Sequence, residues 1–195
     1  EFQILDPDTL SLSQRFEELY ASGRRDDVLR ERVAGELISS EIEIRSAKGE
    51  TFAAALDGRR AARARLFRLA ADHGLRLGST GTHPFSPWQE QRIIDTDHYR
   101  RLQRDLGYVA RRNNTWSSHV HVGIRGADRA VRTSDRMRPV LPVLLACSAN
   151  SPFVDGRDAG LHSARTQTFT RMFPRCGVPD AYGSWAAYEA YIDLL

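Results

Sequence analysis

The chain has 195 residues with 28 basic and 25 acidic side chains, so its formal net charge at pH 7 is +3. Hydrophobic residues make up 41% and charged residues 27%, which is typical of a globular domain and excludes a disordered tail, a collagen-like repeat and a coiled coil. No apolar run approaches the roughly 20 residues that a membrane-spanning helix needs.

The first part of the chain alternates between strand and helix patterns. Side chains that alternate polar and apolar predict strands, and apolar side chains at helical spacing predict helices. The predicted elements are, in chain order, a strand over 1–5, a helix over 26–38, a strand over 40–44, a helix over 51–73 ended by Gly74, and a strand over 75–77 that enters the loop 78–87.

The second part continues the alternation and contains a long Gly- and Pro-rich stretch. Its predicted elements are a helix over 97–112, a strand over 119–124, a helix over 132–149 bent near Pro139 and Pro142, a functional loop over 151–184, and a helix over 184–195. The order of elements predicts an α+β or α/β fold. Antiparallel pairing is favoured because the strands alternate polar and apolar residues.

Three of the predicted strands carry an apolar side and a side of acids or imidazoles. The apolar sides hold Phe2 and Ile4, Ile42 and Ile44, and Val120, Val122 and Ile124; the polar sides hold Glu1 and Gln3, Glu41, Glu43 and Arg45, and His119 and His121. If the strands share one sheet, the acids and imidazoles meet on one surface. For each strand taken alone, an ordinary solvated face is the more common explanation.

Two kinds of metal site are compatible with these side chains. His119 and His121 project together and suit zinc, but zinc needs a third protein ligand, and His83, His98 and His162 have no diagnostic spacing. Carboxylates outnumber imidazoles, which favours a cation that prefers oxygen ligands, such as Mg²⁺.

Five motifs occur in order along the chain. They are Glu1-Phe2 with Leu5-Asp6-Pro7; Gly81-Thr82-His83-Pro84-Phe85; His119-Val120-His121-Val122-Gly123; Ser148-Ala149-Asn150-Ser151-Pro152-Phe153 with Gly156-Arg157-Asp158-Ala159-Gly160 and Arg165; and Gly183-Ser184-Trp185. The series resembles the carboxylate–amine ligases of the glutamate–cysteine ligase family 2 group, over essentially the whole chain. One such motif would be weak evidence, whereas five in order are strong.

The resemblance implies a fold and an activity. The expected fold is α+β, a curved and mostly antiparallel sheet with helices packed outside, similar to the catalytic domain of glutamine synthetase. The expected reaction joins the γ-carboxylate of glutamate to an amine such as that of cysteine, with ATP and Mg²⁺ as cofactors. An ATP site of this kind needs no P-loop, which agrees with a chain whose only lysine is Lys48.

The resemblance also implies roles for individual residues. Glu1 and Glu43 match ligands of one Mg²⁺ ion, and Glu36 falls at an acidic family position where plain solvation is an equal alternative. His119 matches a ligand of a second ion beside the nucleotide phosphates, and Arg165 matches an arginine that holds a substrate carboxylate or phosphate. In the nucleotide site, His121 and Asn150 are expected to shape the pocket, although Asn150 also suits a helix cap.

Two family segments have no counterpart here: the acids that precede Glu1 and a C-terminal Glu-x-Arg strand. We therefore expect residues 1–195 to be a single but incomplete catalytic domain. The alternative from another class is an inactive homologue that binds a metabolite or partner. The complete reading frame would distinguish the two.

The remaining composition limits partners and compartment. Acidic and basic residues are mixed along the chain, so nucleic-acid binding is not expected, and small-molecule substrates and a homo-oligomer remain the expected partners. Cys147 and Cys176 do not make a disulfide framework, and the apolar stretch 140–147 is predicted to be core with Cys147 buried in it. The expected compartment is the cytoplasm.

Overall fold

The computed structural model describes residues 1–173 and 176–195. These residues form two compact units, which are described separately. The first consists of residues 1–117 and 151–165, and the second of residues 118–150 and 166–195.

The first unit is built on a four-stranded antiparallel sheet, so the α+β class is confirmed. Its helices and strands are β1 (Phe2–Leu5), α1 (Phe16–Gly23), β2 (Val33–Ala34), β3 (Glu41–Ile44), α2 (Phe52–Asp72), β4 (Arg76–Gly78), a 3₁₀ turn (Trp88–Glu90), α3 (Asp97–Leu106), α4 (Tyr108–Arg111), β5 (Phe153–Val154), β6 (Arg157–Asp158) and the start of α7 (Ala164–Met172). The strand order is β2-β3-β1-β4, and β5 and β6 form a separate hairpin. The predicted strands 1–5, 40–44 and 75–77 are therefore confirmed.

One face of this sheet is covered by apolar packing. Phe2, Ile4 and Ile42 are buried against Leu66 and Leu69 of α2. These strand residues are the apolar set that period-two alternation places on one side. Burial of such side chains stabilises the fold by about 1.5–3 kcal/mol each.

Helix α2 confirms the helix predicted over 51–73. Thr51 caps its start, where the hydroxyl oxygen accepts a hydrogen bond from the Ala54 backbone N–H at 3.2 Å. It ends before Gly74, whose positive φ of 67° is the left-handed conformation that glycine adopts without a Cβ clash.

The helix predicted over 26–38 is wrong. The Asp26 carboxylate accepts hydrogen bonds from the backbone N–H groups of Val28 and Leu29, which holds this stretch in turns that lead into β2. The apolar residues Leu29 and Val33 are buried as their spacing suggested. The spacing was helical, but a turn followed by a short strand buries the same positions.

The helix predicted over 97–112 is present but interrupted. Gly107 takes a positive φ of 50° and separates α3 from α4. Thr96 caps α3 through a 3.2 Å hydrogen bond from the Tyr99 backbone N–H to its hydroxyl oxygen. The cap places Tyr99 in the first turn of α3, where its ring packs against the core.

The second unit is helical. It contains α5 (Ala127–Met137), a 3₁₀ turn (Arg138–Val140), α6 (Leu141–Ser148), the remainder of α7 and α8 (Trp185–Ile192). The bend predicted at Pro139 and Pro142 is confirmed, because the 3₁₀ turn separates α5 from α6 there. The predicted C-terminal helix is also confirmed, and Ser184 caps α8 by accepting from the Ala187 N–H at 3.3 Å.

Four other predictions fail. Residues 119–124 form no strand, and Val120 and Val122 are 80% and 75% exposed instead of buried. Within the described residues no neighbouring strand pairs with this stretch, and alternation buries one face only where a sheet exists. Cys147 and much of 140–147 are exposed. The segment 151–184 is not one long loop, since it includes β5, β6 and α7.

None of the helices in the described part of the chain is both long enough and apolar enough to cross a membrane.

Candidate active site on the polar face of the sheet

The face of the first unit's sheet opposite the apolar core is polar but buried. Gln3, Glu41 and Glu43 are only 2%, 3% and 9% exposed. Strand β1 pairs with β3 in the register Phe2↔Ile42 and Gln3↔Glu41, which continued by one residue sets Glu1 opposite Glu43. Alternation along each strand keeps Glu1, Gln3, Glu41 and Glu43 on one face. Because this face is buried, it differs from the solvated polar face that antiparallel strands commonly present.

Glu41 is a strongly perturbed carboxyl on this face, which we call the acidic face because Glu1, Glu41 and Glu43 share it. Burial raises the pKa of its carboxyl group well above the usual value, and the charges of Glu1, Glu36 and Glu43 raise it further. Its Oε1 atom is buried without a hydrogen-bond partner among the described residues. A carboxylate in this position would be stabilised by a cation, a proton or a hydrogen-bond donor.

Two of the predicted metal ligands are held by neighbouring groups. Glu1 Oε2 accepts hydrogen bonds from the Ser117 backbone N–H and, at 2.9 Å, from the Ser117 hydroxyl. Glu43 Oε2 accepts from Arg45 Nε at 2.9 Å, and the Arg45 side chain reaches toward solvent. Ser117 thus orients Glu1, and Arg45, which directly follows β3, orients Glu43.

Glu36 follows β2 and acts electrostatically on two groups of the face. It raises the pKa of Glu41 and contributes to that of Tyr99. Burial, reinforced by the Glu36, Glu41 and Glu43 charges, raises the pKa of Tyr99 to about 12, so its phenol is neutral near pH 7. Tyr99 therefore adds a hydrogen-bonding group without adding charge.

A second cation, Arg165, interacts electrostatically with this face. Burial lowers the pKa of its guanidinium, while the nearby charges of Glu1 and Glu41 raise it. The Arg165 backbone N–H donates to Ser151 Oγ at 3.3 Å. The structure therefore places Glu1, Glu36, Glu43 and Arg165, all named from the sequence, around Glu41.

His119, His121 and Asn150 lie in the second unit. The His119 and His121 rings are 6.3 Å apart between centroids, and both side chains are exposed. Asn150 is also exposed and lies just beyond α6.

The carboxylates suit Mg²⁺ by donor type, because this ion prefers oxygen ligands. Across 1–173 and 176–195, however, no three His, Cys, Asp or Glu side chains are arranged closely enough to hold a metal ion. The same finding leaves the zinc alternative without a three-ligand group in that part of the chain. His83, one of its candidate ligands, instead accepts backbone N–H bonds at Nδ1 and contacts the Leu10 carbonyl through Nε2 at 3.0 Å.

Sequence reasoning did not assign site roles to Gln3, Glu41 or Tyr99. Alternation correctly placed Gln3 and Glu41 on the polar face, but nothing in the sequence indicated that this face is buried. No sequence pattern indicated that Tyr99 lies near the acids, because its position depends on how α3 packs against the core.

Comparison with known proteins shows the family of the chain. The family model described as glutamate-cysteine ligase family 2 matches residues 1–195. A Rubrobacter xylanophilus protein with the provisional name glutamate–cysteine ligase 2-2 is 39% identical over 195 residues, covering 100% of this chain and 50% of that protein. A Halobacterium salinarum protein named glutamate–cysteine ligase is 38% identical over 175 residues, covering 90% of this chain and 48% of that protein. The chain thus spans about half the length of these relatives.

Proposed function

The chain belongs to glutamate–cysteine ligase family 2, and from this premise we propose that the full-length protein is an ATP-dependent carboxylate–amine ligase. Its substrates are glutamate and an amine, with cysteine the first candidate because the Rubrobacter and Halobacterium relatives are named as glutamate–cysteine ligases. The observation that carries the proposal is the buried acidic face with Arg165 beside it.

The reaction has two steps. A γ-carboxylate oxygen of glutamate attacks the γ-phosphorus of ATP, the bond from that phosphorus to the bridging oxygen breaks, and ADP leaves. The amine nitrogen then attacks the acyl carbon, loses a proton and expels inorganic phosphate. The products are an amide, ADP and phosphate.

The acidic face suits the first step because its carboxylates can hold a cation that balances the negative charge of the transferring phosphoryl group. Mg²⁺, when bound, would neutralise phosphate charge. Glu1, Glu36 and Glu43 are the acids that the resemblance assigns to it, and because no three such side chains of the described residues form a metal cluster, one or two of these carboxylates would hold the ion together with substrate phosphate oxygens. Arg165 would bind a carboxylate or phosphate oxyanion through its planar fork of N–H donors. Burial strengthens each of these interactions by excluding water.

The resemblance adds roles for the second unit and for the fold. His119 would hold a further ion beside the nucleotide phosphates, with His121 and Asn150 shaping the nucleotide site. The antiparallel sheet of the first unit is compatible with the glutamine synthetase type of funnel, which is part of this proposal.

The test is ADP release by the full-length protein with ATP, Mg²⁺, glutamate and a panel of amino acids. Glutamate-dependent ADP release that one amine stimulates, together with formation of the matching amide, supports the proposal. Binding of ATP or glutamate without any amide, across the whole panel, would favour the inactive binding homologue instead.

A second experiment tests the role of Arg165. Arg165→Lys keeps the charge but removes the bidentate fork, so KM for glutamate or for ATP should rise about 10- to 100-fold. Arg171→Lys, on the exposed last turn of α7, is the control with no expected change. Unchanged kinetics in Arg165→Lys would remove Arg165 from the site.

A further inference from the structure

A series of hydrogen bonds in the first unit runs from the acidic face to the hairpin that precedes Arg165. Gln3 Nε2 donates to Thr80 Oγ1 at 2.8 Å, and that hydroxyl donates to the Thr82 carbonyl at 2.7 Å. Thr82 Oγ1 in turn donates to the Phe153 carbonyl at 2.8 Å. A hydroxyl has one proton to donate. The Thr80 hydroxyl can therefore donate to the Thr82 carbonyl and accept from the Gln3 amide in only one orientation.

The sheet is shaped to admit the Gln3 amide. Gln3 lies opposite Glu41 on one side and Gly78 on the other. A Cβ atom at Gly78 would lie 2.7 Å from Gln3 Oε1, closer than real contacts allow. The glycine leaves the space that the buried amide occupies, so the position of the amide is closely determined.

The loop 80–84 is bonded to the hairpin, and Ser151, two residues before the hairpin, is bonded to Arg165. The Gly156 backbone N–H donates to the Pro84 carbonyl at 2.9 Å, which is a second link between the loop and the hairpin. Ser151, fully buried, is hydrogen-bonded to the first two residues of α7: its backbone carbonyl accepts from the Ala164 N–H at 2.9 Å, and its hydroxyl accepts from the Arg165 N–H. A shift of the loop would therefore move the backbone that carries Arg165.

We infer that Gln3 is a positioning residue for Arg165. Its amide orients the Thr80 hydroxyl, the loop 80–84 holds the hairpin, and the hairpin fixes the guanidinium near Glu1 and Glu41. The inference rests on the proposed function, because it concerns the oxyanion that Arg165 binds. An apolar side chain of equal length would fill the same space but would leave Thr80 without its donor.

The test uses steady-state kinetics of the full-length protein. Gln3→Met removes the amide while keeping the length, and Thr80→Val removes the hydroxyl while keeping the shape. Each should raise KM about 5- to 10-fold for the same substrate, glutamate or ATP, whose KM rises in Arg165→Lys. Thr80→Ser keeps the hydroxyl and should recover most of the loss, and Thr9→Val, which removes an exposed hydroxyl bond to Asp6, is the surface control.

A double variant separates positioning from general structural damage. If Gln3 acts through Arg165, Gln3→Met should raise KM much less in the Arg165→Lys background than in the wild type. Two results would overturn the inference while leaving the proposed role of Arg165 intact. In the first, the fold-increases in KM of the two single variants multiply fully in the double variant; in the second, Arg165→Lys raises KM but Gln3→Met does not. If Arg165→Lys itself changes nothing, the proposed role of Arg165 fails first.

Discussion

Glu41→Gln is expected to stabilise the protein. The substitution keeps the side chain's shape but removes a charge from a buried face that also holds Glu1, Glu36 and Glu43. A strand rises about 3.4 Å per residue, so Glu41 and Glu43 side chains on the same face start about 7 Å apart. At an effective dielectric constant of about 20, two unit charges at that separation repel by about 2.4 kcal/mol.

Proton uptake by Glu41 already relieves part of this repulsion near neutral pH, because its pKa is raised. We therefore expect Glu41→Gln to increase the free energy of unfolding at pH 7 by about 1–2 kcal/mol. The size of this increase depends on pH. A carboxyl whose folded pKa lies above its unfolded value of 4.5 contributes stability below pH 4.5, and this is lost as pH rises through the folded pKa.

Urea unfolding followed by circular dichroism from pH 4 to pH 8 measures both effects. The increase in the free energy of unfolding caused by Glu41→Gln should be near zero at pH 4, grow as pH rises and then level off. Glu90→Gln, an exposed acid of the same unit, is the control and should show little change at any pH. A Glu41→Gln variant less stable than the wild type at pH 7, or a gain independent of pH, would refute the reasoning.

Three further predictions concern other residues of the first unit. Glu43→Gln should abolish amide formation at limiting Mg²⁺ with little change in thermal stability, and near-normal turnover would show that Glu43 is not a ligand. Burial lowers the pKa of His83, so its folded form resists protonation and the free energy of unfolding should fall as pH drops below 6.5; urea titrations should show a smaller fall in His83→Gln. Gly78→Ala should destabilise the protein by about 1–3 kcal/mol, because its Cβ would clash with the Gln3 amide, whereas Gly58→Ala within α2 should stabilise it by about 0.5–1 kcal/mol, and equal shifts in Tm would contradict this contrast.

Local patterns predicted the elements whose stabilising signals lie within a few residues. The strands β1 and β3 follow from alternation, because side chains on successive strand residues point to opposite faces. Helix α2 follows from its apolar spacing, the Thr51 cap and the terminating Gly74. The sequence also identified the family by its ordered motifs, and the family model matches over the whole chain.

The failures share one cause, which is that periodicity does not specify the partner. The apolar spacing in 26–38 is satisfied by turns, because the Asp26 carboxylate binds two backbone N–H groups there. The alternation of 119–124 forms no strand, because a strand requires a neighbouring backbone for its hydrogen bonds. Cys147 is exposed although its apolar neighbours suggested a buried thiol.

The sequence alone determined which residues share a face, since alternation in β1 and β3 puts Gln3, Glu41 and Glu43 on the same side. Only the tertiary structure decided that this side is buried, that Tyr99 and Arg165 approach it, and that the pKa of Glu41 is raised. The physical reason is that alternation is set by backbone geometry within one strand. Burial and pKa depend on segments distant in sequence that pack over that strand.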